Sequence, residues 1–105
     1  MVTLDQAHSV NHIQAHIGDN VEIRCDIVSK PRQPVIKWSR YNVDLGSLQT
    51  PNIKVFNDGS IYLANVQLSL SGNYTCHAEY NLIVKQVHVL HVIGNNWLKL
   101  ILNIL

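Results

Sequence analysis

Two cysteines, six histidines and one Asn-x-Thr triplet are the residues of this chain that could carry chemistry. Cys25 and Cys76 allow one bridge, and the compartment decides whether they pair: cytosol argues against it, a secretory route for it. His8, His12 and His16 recur every four residues, which on a helix would line one face. In an extended strand the same spacing separates neighbours by about 13 Å, too far to share one ion. They are expected as solvent-facing residues on an edge strand. His77 and His88 are expected to approach each other across a hairpin centred near Leu82. Two imidazoles are two ligands short of a tetrahedral zinc site, so both are read as surface residues and no metal is expected.

Asn73-Tyr74-Thr75 is an acceptor triplet for N-glycosylation, and Asn73 should point outward if Tyr74 points in. The serines lie in turns and outward strand positions, with no glycine-flanked nucleophile elbow. Phosphate-binding glycine loops and dinucleotide fingerprints are absent from the sequence. No catalytic residue, no cofactor and no enzymatic activity are expected.

The elements that hold these residues are short. Val21, Ile23, Cys25 and Ile27 alternate with Asn20, Glu22, Arg24 and Asp26, the pattern of a strand with one wet face. Ile36 and Trp38 share a face of the next run, after Pro31 and Pro34. Residues 41–52 read as a loop with one short edge strand. Ile53 to Phe56 and Ser60 to Val66 flank Asn57-Asp58-Gly59, a hairpin signal. Ile61 and Leu63 share one face, and Tyr74, Cys76 and Ala78 alternate inward. Asn81-Leu82-Ile83 is expected to turn into a final strand through Val92. There Val87 and Val89 suggest one phase, Leu90 and Val92 the other, and a bulge between them would reconcile the two. Seven or eight such strands, with turns every eight to twelve residues, read as an all-β sandwich.

The bulk numbers agree with a folded domain and narrow its partners. The 105 residues are 47% apolar and only 14% charged, against roughly 25% charged in average globular proteins. A net charge of +1, with both signs scattered, leaves no footprint for nucleic acid or an anionic membrane. Met1-Val2-Thr3-Leu4-Asp5-Gln6 lacks the basic start and apolar run of a signal peptide. The segment is therefore expected either to derive from a larger secreted precursor or to carry an added Met.

Trp38 stands thirteen residues after Cys25, and Cys76 thirty-eight after Trp38. Together with Gly18 to Cys25, Ile36-Lys37-Trp38 and the run DGSIYLANVQLSLSGNYTCHA from Asp58 to Ala78, this spacing resembles an intermediate-set (I-set) immunoglobulin domain. The likeness covers residues from about Leu4 to Val92. It is most similar to domains of follistatin-like secreted glycoproteins and of immunoglobulin-superfamily adhesion molecules. The resemblance implies two packed antiparallel sheets bridged by Cys25–Cys76, with the Trp38 indole against the sulfurs and Leu63 and Tyr74 in the core. It also implies a Tyr74 hydroxyl returning to backbone a few residues upstream. One position departs from the family's Asp-x-Gly-x-Tyr-x-Cys pattern. Leu70 stands where the family has Asp, so a basic residue such as Lys54 or Arg40 is expected to lack that carboxylate.

The domain is expected over residues 1–93. Gly94-Asn95-Asn96 then breaks the pattern, and Trp97 to Leu105 is apolar at seven of nine positions, too short to span a bilayer as a helix. Residues 94–105 are expected as a non-native apolar tail outside the sandwich, through which copies would weakly self-associate. The function implied is extracellular protein recognition or adhesion, on a secreted protein or an ectodomain. Its partner would be an extracellular protein, homophilic or heterophilic, with no nucleic acid and no membrane insertion. The alternative is a passive structural spacer in a tandem secreted or matrix glycoprotein. An apolar patch on the face formed by the Trp38 strand and the last two strands would favour recognition. Polar faces, with apolar residues only at the two ends, would favour the spacer.

Overall fold

The computed structural model describes residues 2–4, 10–47 and 50–94. His8 and the apolar stretch from Trp97 to Leu105 therefore lie outside the described residues. Among the described residues, ten strands follow in chain order. The first five are β1 (Val2–Leu4), β2 (Val10–His16), β3 (Val21–Ile23), β4 (Ile27–Ser29) and β5 (Ile36–Arg40). After them come β6 (Val43–Asp44), β7 (Ile53–Val55), β8 (Ile61–Leu63), a 3-10 turn at Leu68–Leu70, β9 (Gly72–Ala78) and β10 (Asn81–Ile93).

One layer is a five-stranded sheet in the order β2-β10-β9-β5-β6. The other is split into a three-stranded piece, β3-β8-β7, and a two-stranded piece, β1-β4. The layers bury their facing side chains between them, and Trp38, Ile61, Leu63, Val66, Tyr74, Cys76 and Leu90 are almost wholly enclosed. Period-two alternation explains the selection, since Tyr74, Cys76 and Ala78 are buried while Asn73 is exposed and Thr75 and His77 are half-buried. The fold is the all-β immunoglobulin sandwich expected from the sequence, with Cys25 and Cys76 bonded across the layers.

Three local features differ from the expectation. Strand alternation over 20–27 is interrupted at 24–26, leaving β3 and β4 as separate pieces. At the interruption the Gln86 side chain takes over from the ladder. Its Oε1 accepts from the Asp26 backbone N–H at 3.0 Å, and its Nε2 donates to Asp26 Oδ2 at 2.9 Å. Second, the β9–β10 connection turns at Glu79–Tyr80, with a ladder irregularity between Asn81 and Lys85, so the bulge expected between Val89 and Leu90 is not found. The inward phase runs through Gln86, His88, Leu90 and Val92 without a break, and all four are buried. Third, β2 runs parallel to β10, pairing Val10 with Val87 through to His16 with Ile93.

The β7–β8 hairpin shows why its turn residues are legible. Asp58 Oδ1 accepts from the Ser60 N–H at 3.0 Å and from its hydroxyl at 2.6 Å, which holds the Asp58 carboxyl below the usual carboxylate range. Gly59 has φ +91°, and a Cβ there would lie 2.9 Å from Ile36 Cγ1. Only glycine fits both the left-handed backbone and that close approach. Its carbonyl, in turn, accepts the Trp38 indole N–H at 2.9 Å.

Candidate functional site

The centre of the sandwich is built on the Cys25–Cys76 bridge, whose partners are 51 residues apart. Trp38 on β5 pairs with Cys76 on β9 in the ladder and is 1% exposed. His88 joins them from β10, with its ring 5.1 Å from the indole and Nε2 3.6 Å from Cys76 Sγ. On its other side the Asn11 amide nitrogen stands 3.1 Å from His88 Nδ1. An amide nitrogen only donates, so Nδ1 accepts and the single ring proton sits on Nε2, facing the sulfur. Enclosure in this apolar centre lowers the His88 pKa to about 4, partly offset by Asp26, and keeps the ring neutral. The sequence pattern placed His77 and His88 together on the surface. The two lie on opposite sides of the sheet, His88 inside and His77 outside, because His77 pairs with Lys85 and His88 with Tyr74.

The lower edge is held by Tyr74 and Arg40. Tyr74 Oη donates to the Leu70 carbonyl at 2.6 Å, and burial raises its pKa, so it remains a donor. Arg40 does not go without partners in the absence of an Asp at position 70. Its Nη2 donates to the carbonyls of Ser69 and Ser71, and the guanidinium lies 5.0 Å from the Tyr41 ring centre and 5.2 Å from that of Tyr74. Backbone oxygens and two aromatic faces take the place of the missing carboxylate at Nη2, while the buried Nε stays without a hydrogen-bond partner among the described residues.

This centre fixes the geometry of the outer surfaces. Across the five-stranded sheet, the outward side chains of Lys37, Ser39, Asn73, Thr75, His77 and Lys85 line a shallow depression of roughly 690 Å³. Tyr41, Leu82 and Val87 line it as well, so that face mixes polar and apolar side chains, and Asn73 is exposed on it. The most exposed apolar residues stand at one end of the sandwich. At the β9–β10 turn, Tyr80 is 94% and Ile83 90% exposed, with Leu82 and Val35 also open to solvent. Their backbone is tied down: Glu79 N–H donates to the Val35 carbonyl at 2.8 Å, and Asn81 Oδ1 accepts from the N–H groups of Ile83 and Val84. Tyr80 and Val35 also share a small cleft with Val2 and Pro34. The sequence predicts a loop here but not this presentation, because exposure of an apolar residue depends on what packs beside it.

Among the described residues, no three His, Cys, Asp or Glu side chains are grouped to hold a metal ion. Nor is any helix among them long and apolar enough to cross a membrane. Residues 6–79, more than half of the chain, match the immunoglobulin domain family. The chain belongs to that family. This immunoglobulin domain is 38% identical over 87 residues to human ADAMTS-like protein 3, covering 81% of this chain and 5% of that protein. It is 35% identical over 63 residues to chicken sidekick-1, covering 58% of the chain and 3% of that protein. Among solved structures, the first four immunoglobulin domains of sidekick-1 superpose with a TM-score of 0.71 at 24% identity, covering 88% of this chain and 24% of that one. The N-terminal eight domains of Down syndrome cell adhesion molecule give 0.70 at 20%, covering 89% and 13%. The chain thus spans a small fraction of the proteins it matches, and the structural likenesses define the fold alone.

Proposed function

We propose that this immunoglobulin domain is an extracellular protein-recognition module that meets its partner through the β9–β10 turn end. The observation that carries the reading is the exposure of Tyr80, Leu82 and Ile83 at a hydrogen-bonded turn, with Tyr80 sharing a cleft with the exposed Val35. Exposed tyrosines such as Tyr80 belong to the residue types in which binding hot spots are enriched, and the apolar neighbours would exclude water around it. A disulfide in the core fits an oxidising compartment, and the structurally similar proteins include one named a cell adhesion molecule. The partner is an extracellular protein, either another copy or a different chain. Tyr80→Ser combined with Ile83→Ser is expected to weaken binding to such a partner about 30-fold or more, the effect of losing a hot spot. Surface binding of the purified domain, measured against cells and matrix for both forms, checks this. Equal binding of the two would remove the turn end from the interface.

The passive spacer is a second reading, favoured by the place of Tyr80 and Ile83 at one end of the sandwich, where a tandem neighbour would stand. In it, the same apolar end packs on a neighbouring domain and the isolated variant loses no binding. Residues 94–105 lie beyond the immunoglobulin pattern in either reading, as an addition to a domain ending at Ile93.

Asn73 is proposed to carry an N-linked glycan. Its side chain is exposed in an Asn-x-Thr triplet, and a sugar there would cover the outer face of the five-stranded sheet. Recognition would then be left to the ends and edges. Protein from a secretory host is expected to show a glycosidase-sensitive mass increase that Asn73→Gln removes. Wild-type protein of unmodified mass would end this proposal.

A further inference from the structure

We propose that His12 and His91 form half of a divalent transition-metal site, for Zn²⁺ or Cu²⁺, which a second copy of this chain completes. Seventy-nine residues separate the two histidines, and the parallel β2–β10 ladder brings them together. Val89 pairs with His12 and His91 with Gln14, so the two rings are diagonal neighbours on the outward side of adjacent strands. Both side chains are exposed. His12 Nδ1 and His91 Nε2 stand 3.1 Å apart, and the ring planes differ by only 13°.

That spacing suits coordination. Two nitrogens each about 2.05 Å from one ion and 3.1 Å apart subtend about 98°, between a tetragonal right angle and the tetrahedral value. The nitrogens now share one proton in a hydrogen bond. An ion between them needs both lone pairs free and turned toward it, so the stacked rings must rotate about their side-chain bonds, which their exposure permits. His77 and His88 offer no such pair, being on opposite sides of the sheet, and His16 instead faces Asp19.

Two imidazoles alone leave the ion short of protein ligands, and among the described residues no third His, Cys, Asp or Glu joins them. The missing pair has a natural source. β2 is an edge strand of the five-stranded sheet and β10 its inner neighbour, so the pair stands on the sheet's outward face beside an open border, His12 on the edge strand and His91 one strand in. A two-fold axis through the ion would present the same two residues from a second copy and give four imidazole nitrogens.

The test is sedimentation velocity on the full chain with Zn²⁺, with Cu²⁺ and with EDTA, alongside His12→Ala and His91→Ala. A metal-dependent dimer holding one ion per two chains is expected, reversed by EDTA, with each substitution raising the metal concentration required at least tenfold. Either metal producing that dimer supports the site and identifies its ion. The proposal is overturned by a mass independent of metal, by a metal-induced dimer that both variants retain, or by one ion bound per monomer. Self-association through any other surface persists in EDTA and is separated by that control.

Discussion

Cys76→Ser is expected to abolish recovery of a soluble native domain. The bridge closes a loop of 51 residues, for which the chain-entropy account gives about 4 kcal/mol. That is comparable with much of the roughly 5–15 kcal/mol typical of a whole domain. The substitution also leaves Cys25 as a thiol and opens the packing beside Trp38 and His88, both of which lie within the enclosed centre. The remaining core, shared by a five-stranded sheet and two small pieces of a second sheet, is thin for its size. Secreted yield and thermal unfolding check the expectation. A folded variant whose midpoint falls by only a degree or two would contradict it.

The second large effect is acid destabilisation through His88. Its folded pKa is lowered from 6.5 to about 4, chiefly by burial. The unfolded chain therefore takes up a proton between those values while the folded chain does not. The stability linked to this group is fully present above pH 6.5 and is lost as pH falls toward 4, flattening below. Between pH 7 and 5 the loss should be about 1–2 kcal/mol. The groups around the ring are the Asn11 amide, Cys76, the Trp38 indole and, as the charged contributor, Asp26 with its Gln86 partner. His88→Leu is expected to remove this part of the pH dependence, read from denaturant midpoints at pH 7 and 5. An unchanged difference between the two pH values would assign the effect to other groups.

The sequence is most readable where one residue type answers one local demand. Cys25, Trp38 and Cys76 at family spacing, the Asp58-Gly59 turn and the inward Tyr74 belong to this class, since each side chain carries its own geometric signature. The phase of β10 does not. Gln86 and His88 occupy inward positions and Val87 and Val89 outward ones, inverting the apolar alternation from which a strand's phase is read. Both polar residues are accommodated by partners far away in sequence, Asp26 and Asn11, which no local pattern reports. The interruption at 24–26 is hidden for the same reason, because the apolar alternation continues across it while the ladder does not. Arg40 shows a milder case. The absence of an Asp is visible in the sequence, but the carbonyls that receive its guanidinium depend on how the Leu68–Leu70 turn folds. His12 with His91 is the least legible, since the pair exists only through the register of a parallel ladder.

That ladder also sets how the domain answers a pulling force. β2 lies near the start of the chain and β10 near the end of the sandwich, and seven residues of each are paired in parallel. Tension applied before Val10 and after Ile93 draws the two strands along their length in opposite directions. The cross-strand bonds are then loaded together in shear, whereas an antiparallel hairpin pulled from its open end would unzip rung by rung. Should that clamp give way, the covalent link from Cys25 to Cys76 still withholds the chain between them from extension. In a string of domains under load, such a unit would lengthen late and by a limited step.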